Sequence, residues 1–341
     1  MSPIVEITPF PAGSASDALI REYYDLSAAA FQVDLPGRPL LTFEAMAARV
    51  RSPLSPYGPH HFYQARLAGR LVAVAVVMLP DSENTDVAVV EVRVHPDQRR
   101  HGIGSQMLRH LLPDLRARGR RMLTHTGFAV GGTGQGWAEW LGASRAHAFV
   151  LQDLEVGDVD PRLWAAPAPA GYRIESWRDS APERLLASYA AARNAMHDAP
   201  TGDMTFEVPQ WTPQRVRKYE ADARDAGRET FVVVGIAEAT GAVGGYTEMV
   251  IFAGQPTRAM QFDTAVRAEH RGHGLGVALK SAMMRWITRE HPNVERVSTN
   301  TGIDNVHMIR VNHQLGYLTN ETVAVYEVPV DQLTRRLTPT G

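Results

Sequence analysis

Arg271-Gly272-His273-Gly274-Leu275-Gly276 joins two segments of different period. Before it, Ala259 to Val266 is a short run of strand length. After it, Leu275, Leu279, Met283 and Trp286 recur at helical spacing. The glycines let the backbone approach a ligand closely and take positive φ. A helix opening there offers unpaired N–H groups and the positive end of its dipole, which suits a pyrophosphate. Arg271 adds a charge-assisted donor in the same turn.

The motif is written twice. His101-Gly102-Ile103-Gly104 stands 172 positions before His273-Gly274-Leu275-Gly276. The same offset relates Arg99 to Arg271, Val94 to Val266, Glu91 to Asp263 and Gly69 to Gly241. Register therefore holds from a hairpin turn, through a strand, to the glycine turn. A period this long means duplicated domains rather than a solenoid. Asp158 to Gly171, DVDPRLWAAPAPAG, has the composition of a semi-rigid linker. The reading is a first domain over 1–157, a linker over 158–170, a second domain over 171–330, and a tail over 331–341 that docks as a helical turn or frays. Each half reads as an opening strand and two helical stretches (Asp17 to Phe31 and Phe43 to Arg51; Pro182 to Ala195 and Pro213 to Ala226). A hairpin, a strand (Val87 to Val94; Ala259 to Val266), the glycine turn and a helix follow. That order is α+β, a mostly antiparallel sheet with helices on its faces.

Composition narrows the function. The chain of 341 residues is 44% hydrophobic and 21% charged, a globular composition. A net charge of −2 gives no support to nucleic-acid binding. The absence of cysteine excludes disulfides, thiolate metal sites and a cysteinyl intermediate. The thirteen histidines have no HExxH or similar spacing, so no metal site is expected. No apolar run approaches the ~20 residues of a membrane helix, and Met1 to Phe10 has no basic or apolar signal region. A cytoplasmic protein is the expectation.

Two other phosphate motifs fail. A P-loop needs a lysine beside its last glycine, whereas Lys280 lies four residues beyond Gly276. A dinucleotide fingerprint needs a third glycine, and Leu279 stands there.

With both turns placed, the chain resembles the GNAT superfamily of N-acetyltransferases. That family's pyrophosphate loop is Gln/Arg-x-x-Gly-x-Gly/Ala after a strand that often ends Val-x-Pro. The first half carries Val94-His95-Pro96 and Arg99-Arg100-His101-Gly102-Ile103-Gly104. The second half carries Arg271 to Gly276, and Asn305-Val306-His307-Met308…Asn312-His313-Gln314-Leu315-Gly316-Tyr317, which looks like the family's late helix. Met196-His197-Asp198-Ala199-Pro200 and Ala278-Leu279-Lys280 resemble its actinobacterial tandem group, distantly similar to mycothiol synthase. The resemblance implies two tandem GNAT-like domains. It also implies acetyl-CoA, or another acyl-CoA, as co-substrate between two splayed strands, and direct attack by a primary amine in a ternary complex.

Carried onto this chain, the resemblance places the donor along Thr264, Ala265 and Val266 and around Arg271, Gly272, His273, Gly274, Leu275 and Gly276. Asn300, Asn305 and Asn312 would flank its arm, although Asn305 also suits a helix N-cap. In the first half the matching positions are Val94, Arg99, Arg100, His101, Gly102, Ile103 and Gly104. The family's usual general acid, a tyrosine, is replaced by Asn312, and by Ala138 in the first half.

The halves differ where chemistry is expected. Glu248 lies in Gly245-Tyr246-Thr247-Glu248-Met249-Val250, where the first half has Val76. An acid in an apolar strand is paired, solvated or functional. It reads either as a cleft-facing base or as a residue of the solvent face. Asp263 is a second catalytic candidate or, given Glu91, an inherited structural feature. Asp198, Asp203 and Trp211 are candidates for an acceptor cleft or, equally, caps, turns and core. The second half is therefore expected to catalyse, and the first to be structural or a vestigial CoA binder. The rival reading is a non-catalytic acyl-CoA-binding or sensing protein. The acceptor would be a small-molecule amine, and the chain a pseudo-dimeric monomer or a homodimer.

Overall fold

The computed structural model describes residues 4–36, 38–53 and 57–338. From the N-terminus the chain forms β1 (Glu6–Pro9), α1 (Asp17–Asp34), α2 (Phe43–Arg51), β2 (His60–Leu67), β3 (Arg70–Met78), β4 (Val87–Val94), α3 (Ile103–Ala117), β5 (Met122–Ala129), α4 (Thr133–Trp140) and β6 (Ser144–Glu155). It continues through β7 (Tyr172–Arg178), α5 (Glu183–Arg193), α6 (Pro213–Asp225), β8 (Glu229–Ala237), β9 (Val243–Ile251), β10 (Arg258–Val266), α7 (Leu275–Glu290), β11 (Arg296–Gly302), α8 (Val306–Gln314), β12 (Leu318–Pro329) and α9 (Val330–Leu337). The repeated order read from the sequence is present in both halves. Residues 331–337 of the expected tail continue from Val330 as α9, which buries Val330, Leu333 and Leu337; 339–341 lie outside the described residues.

Two compact units divide the chain: Met1–Ala148 with Gly202–Glu207 and Thr322–Gly341, and Phe149–Thr201 with Val208–Glu321. These differ from the two contiguous halves that the repeat suggests. In the first unit, Val323–Pro329 of β12 pair antiparallel with Met122–Ala129 of β5. In the second, Phe149–Glu155 of β6 pair antiparallel with Arg296–Gly302 of β11. Each half's last strand thus completes the other unit's sheet. A duplicated fold permits this, because the same edge accepts either copy of its last strand, as in domain swapping. The expected linker is pinned to the second unit: Trp164 is buried and its indole N–H donates to the Leu315 carbonyl at 3.0 Å.

In the second unit the sheet is covered on both faces. Phe231, Val233 and Met249 pack with Leu275, Leu279 and Met283 of α7. Their neighbours Val232, Val234 and Tyr246 pack with Leu185, Leu186 and Tyr189 of α5 and Val216 of α6. Strand alternation sends successive residues to opposite layers, so β8 and β9 are buried almost throughout.

Parallel pairing in each unit is short. β4 and β5 pair at Val87↔Met122, Ala88↔Leu123 and Val89↔Thr124. β10 and β11 pair at Arg258↔Arg296, Ala259↔Val297 and Met260↔Ser298. Beyond these residues the strands part, leaving a splay on the way to each glycine turn.

Candidate active site

The glycine turns have nearly identical backbones. Gly102 (φ 76°) and Gly274 (φ 76°) are left-handed N-caps of α3 and α7 with no side-chain cap. The N-terminal N–H groups of both helices are thereby left for a ligand. The arginines take a different part from the one expected. Arg271 Nε donates to the Val266 carbonyl at 2.9 Å, and its guanidinium binds Asp198 at 2.6 Å. Arg99 Nε donates to the Val94 carbonyl at 3.2 Å, and its two terminal nitrogens grip Asp34 at 2.7 and 2.8 Å. Both arginines fasten the turn to the strand end, their charge already met by a carboxylate. Arg100 takes positive φ (67°) where the second unit has Gly272 (81°). His101 and His273 are exposed.

Space at the second glycine separates the units. A Cβ built on Gly276 meets only Val266 Cγ2, at 4.0 Å. One built on Gly104 meets the Trp137 indole at 3.0 Å. Three residues before Trp137 on α4, Gly134 packs against Phe128, which stacks on His125 with ring centroids 3.7 Å apart. Burial pushes the His125 imidazole down to about 4. Trp137 therefore covers the second glycine of the first unit's turn, and the second glycine of the other turn is left open.

The strand before the turn differs too. β3 pairs with β4 without interruption, and Val76 stands opposite Glu91. The β9–β10 ladder jumps from Met249↔Gln261 to Thr247↔Thr264. Glu248 thus faces two residues, Phe262 and Asp263, which is the two-against-one count of a β-bulge. The bulge falls just past the last β10–β11 pair, so the ladder skips Phe262–Asp263 on both sides. Thr264, Ala265 and Val266 pair only with β9, and Thr264 Oγ1 bonds Thr247 Oγ1 at 2.7 Å.

Glu248 is buried rather than cleft-facing. It is 1% exposed, because alternation turns it into the layer beneath α5 and α6. Arg193 donates to Oε2 at 2.9 Å, and the Tyr219 hydroxyl donates to Oε1 at 2.7 Å. The Tyr189 hydroxyl lies 3.4 Å from Oε2. Arg193 is itself 3% exposed and lies 3.6 Å over the Trp211 ring.

Asp263 is placed differently. Its side chain keeps 37% of its surface open, and Arg193 approaches it at 3.7 Å. The Tyr246 hydroxyl donates to Oδ2 at 3.3 Å. The atoms packed around the carboxyl raise it above the ordinary aspartate range; Arg193 opposes this and the charge of Glu248 adds to it. Its counterpart Glu91 goes the other way. Burial alone would raise it, but Arg93 overcomes that and holds it low.

The remaining expected residues are scattered. Asn305 is the N-cap of α8, accepting from Met308 N at 3.1 Å. Asn312 is fully buried and donates to Gln152 at 2.8 Å and Thr301 at 3.2 Å, so it serves the sheet rather than a donor arm. Asn300 is exposed on β11. The three acceptor candidates are not gathered into one cleft. Asp198 is tied to Arg271, Asp203 belongs to the segment that packs in the first unit, and Trp211 is 5% exposed under Arg193. The sequence reading missed Arg193, Tyr189 and Tyr219. The only signal was a charged residue on the apolar face of α5, which is common at a helix end.

Among the described residues no group of three metal-ligating side chains is present, and no helix is long and apolar enough to cross a membrane.

The pattern of the acetyltransferase (GNAT) family matches residues 21–129 and 193–317. Mycothiol acetyltransferase of Mycolicibacterium paratuberculosis (strain ATCC BAA-968 / K-10) is 24% identical over 266 residues, covering 75% of this chain and 78% of that protein. The same figures hold for mycothiol acetyltransferase of Mycobacterium avium (strain 104). Among solved structures, a tandem GNAT protein from the clavulanic acid biosynthesis pathway superposes with a TM-score of 0.79 at 28% identity, over 96% of this chain and 99% of that one. A GCN5-related N-acetyltransferase from Sphaerobacter thermophilus shares the fold, with a TM-score of 0.72 at 15% identity over 96% of each chain. With a glycine cradle and a strand splay in each unit, and a family match in each half, the chain belongs to the GNAT acetyltransferase family as a tandem member.

Proposed function

We propose that the second unit transfers an acetyl group from acetyl-CoA to a primary amine of a small molecule, by direct attack in a ternary complex. One observation carries the reading: β10 loses its ladder partners on both sides at Phe262–Asp263, beside an open cradle at Gly274–Gly276. Backbone N–H groups at Leu275 and Gly276 hold the pyrophosphate, and the free edge of β10 from Phe262 to Val266 holds the arm. The bound thioester supplies the activated acyl carbon.

The acceptor amine arrives as an ammonium of pKa ~10 and must lose a proton before it can attack. Asp263 takes that proton. It is open to solvent and more basic than an ordinary aspartate. Glu248 acts through Arg193, holding the guanidinium that in turn positions Asp263. The first unit is structural: Trp137 covers its second glycine, β4 runs unbroken, and Val76 replaces Glu248. The relatives named mycothiol acetyltransferase support a small-molecule acceptor.

Thiol release from acetyl-CoA, measured over a panel of amines, tests the reading. Turnover is expected in the wild type and lost in Asp263→Asn. Calorimetric binding of CoA without thiol release for any amine would instead favour an acyl-CoA sensor.

A further inference from the structure

Phe262 and Asp263 are the two bulge residues of β10 that stand opposite Glu248. In an unbroken strand they would face opposite sides of the sheet. The bulge re-aims them. Asp263 meets Arg193 and Tyr246 in the layer beneath α5 and α6. Phe262 meets Phe252, with ring centroids 6.2 Å apart and planes inclined at 62°. Phe252 lies four residues along from Glu248, so alternation puts it on that same side. An aromatic ring and the proposed base therefore sit on adjacent residues of one face.

Both are left partly open. Phe262 is 37% exposed. Phe252 is half-buried and carries the Arg228 guanidinium 4.9 Å from its centroid, so Phe262 presents the open ring. The two oxygens of Asp263 are unequal. Arg193 and Tyr246 both approach Oδ2, at 3.7 and 3.3 Å. Among the described residues no hydrogen bond or ion pair reaches Oδ1, so one oxygen remains for a ligand. Scattered exposed apolar side chains are ordinary on a protein surface. This one adjoins a carboxylate with a free oxygen, at the break in the strand. In the first unit the matching position is Val90, paired with Val77 in an unbroken ladder and 2% exposed. Its neighbour Glu91 is held by Arg93.

We propose that Phe262 sets the acceptor class: the amine carries an apolar group, aromatic or branched, close to its nitrogen. The ammonium meets Oδ1 of Asp263, and the apolar group lies on the open ring of Phe262. This deepens the reading of the second unit as the catalytic one and rests on it. The free carboxylate oxygen selects a cation. The ring takes the neighbouring carbon surface out of water. A hydroxylated amine meets the first condition only, since its hydroxyls lose water against the ring without a replacement partner.

Thiol release is measured on the full-length wild type, Phe262→Ala and Phe262→Leu at saturating acetyl-CoA. The amines are phenethylamine and isopentylamine against ethanolamine and glucosamine, with phenethylamine and ethanolamine as the reference pair. The readout is the ratio of kcat/KM for phenethylamine to that for ethanolamine. In the wild type it is expected to be at least about 10, the scale on which a small apolar contact discriminates. Phe262→Ala should lower the ratio by about 10-fold through the KM of phenethylamine, and Phe262→Leu should keep most of it. A structural role would slow both amines together and leave the ratio unchanged in Phe262→Ala, which overturns the proposal. A wild-type ratio short of the expected one also overturns it, and turnover of the hydroxylated amines then leaves the acetyltransferase reading intact. If Phe262→Ala does not fold by circular dichroism, Phe262→Thr replaces it with the same expected result. Absence of thiol release with every amine in the wild type removes that reading, and this proposal with it.

Discussion

Replacing Glu248 by glutamine separates a buried structural ion pair from a catalytic base. The substitution keeps the volume but removes the charge and replaces one acceptor oxygen by an NH2 donor, so only one of the two bonds, from Arg193 to Oε2 or from Tyr219 to Oε1, keeps an oxygen acceptor. Arg193 then remains 3% exposed, with Asp263 at 3.7 Å as its nearest remaining anion. Breaking a buried pair from one side costs about 3–5 kcal/mol. The Asp263 carboxylate compensates in part, so we expect a loss of about 3 kcal/mol. In a unit of this size that corresponds to a melting temperature lower by roughly 6–12 °C. Thermal and urea unfolding of Glu248→Gln, Arg193→Met and the double variant measure it. The double variant should recover part of the loss, because neither charge is then stranded, with a coupling of at least about 1 kcal/mol. Well below the melting temperature, Glu248→Gln should keep measurable turnover with a raised KM, since Asp263 is still present but less well held. A variant as stable as the wild type, yet without turnover, would falsify the placement of Glu248 as a positioning residue and make it the base.

Four further outcomes follow from the same geometry. Buried on α7, Lys280 binds fewer protons folded than unfolded between about pH 7 and its usual value of 10.5, so wild-type stability should rise with pH across that window. The penalty is complete below pH 7 and reaches about 5 kcal/mol; Lys280→Met should melt higher at pH 6 and flatten this dependence in a pH series of melts. Gly276→Ala has room for its methyl, with Val266 at 4.0 Å, and should lose CoA affinity by calorimetry while keeping its fold. Gly104→Ala presses on Trp137 at 3.0 Å and should cost about 1 kcal/mol by urea unfolding while leaving turnover unchanged. The raised carboxyl of Asp263 should place the acidic fall of wild-type kcat/KM above the ordinary aspartate value of 3.8 in a pH–rate profile, because the base works only when deprotonated.

Nature treats the two copies of one fold unequally here. The second unit keeps an open cradle and a broken strand beside it, and buries Arg193, Glu248 and Lys280. The first covers its second glycine with Trp137 and continues the strand. Active sites commonly give up stability for function in this way.

Much of the architecture follows from local pattern. The helix Phe43–Arg51 and the strand Val87–Val94 fall where their periodicity puts them, and the left-handed caps at Gly102 and Gly274 follow from motifs that only glycine suits. The duplication was readable because Arg99, Gly102 and Gly104 share one register with Arg271, Gly274 and Gly276. These signals lie within a few residues of the structure they specify. The exchange of β6 and β12 between sheets, the indole over Gly104, and the pairing of Glu248 with an arginine 55 positions away required the folded chain. Such contacts depend on which distant side chains the sheet and its helix layers bring together, and a charged residue looks the same in a sequence whether it faces solvent, a substrate or a buried partner. The sequence by itself determined the fold, its repetition and the glycine turn before each long helix. Tertiary structure alone decided which cradle is open, which acid is sealed and which is exposed, because burial and counter-ions belong to the packed molecule.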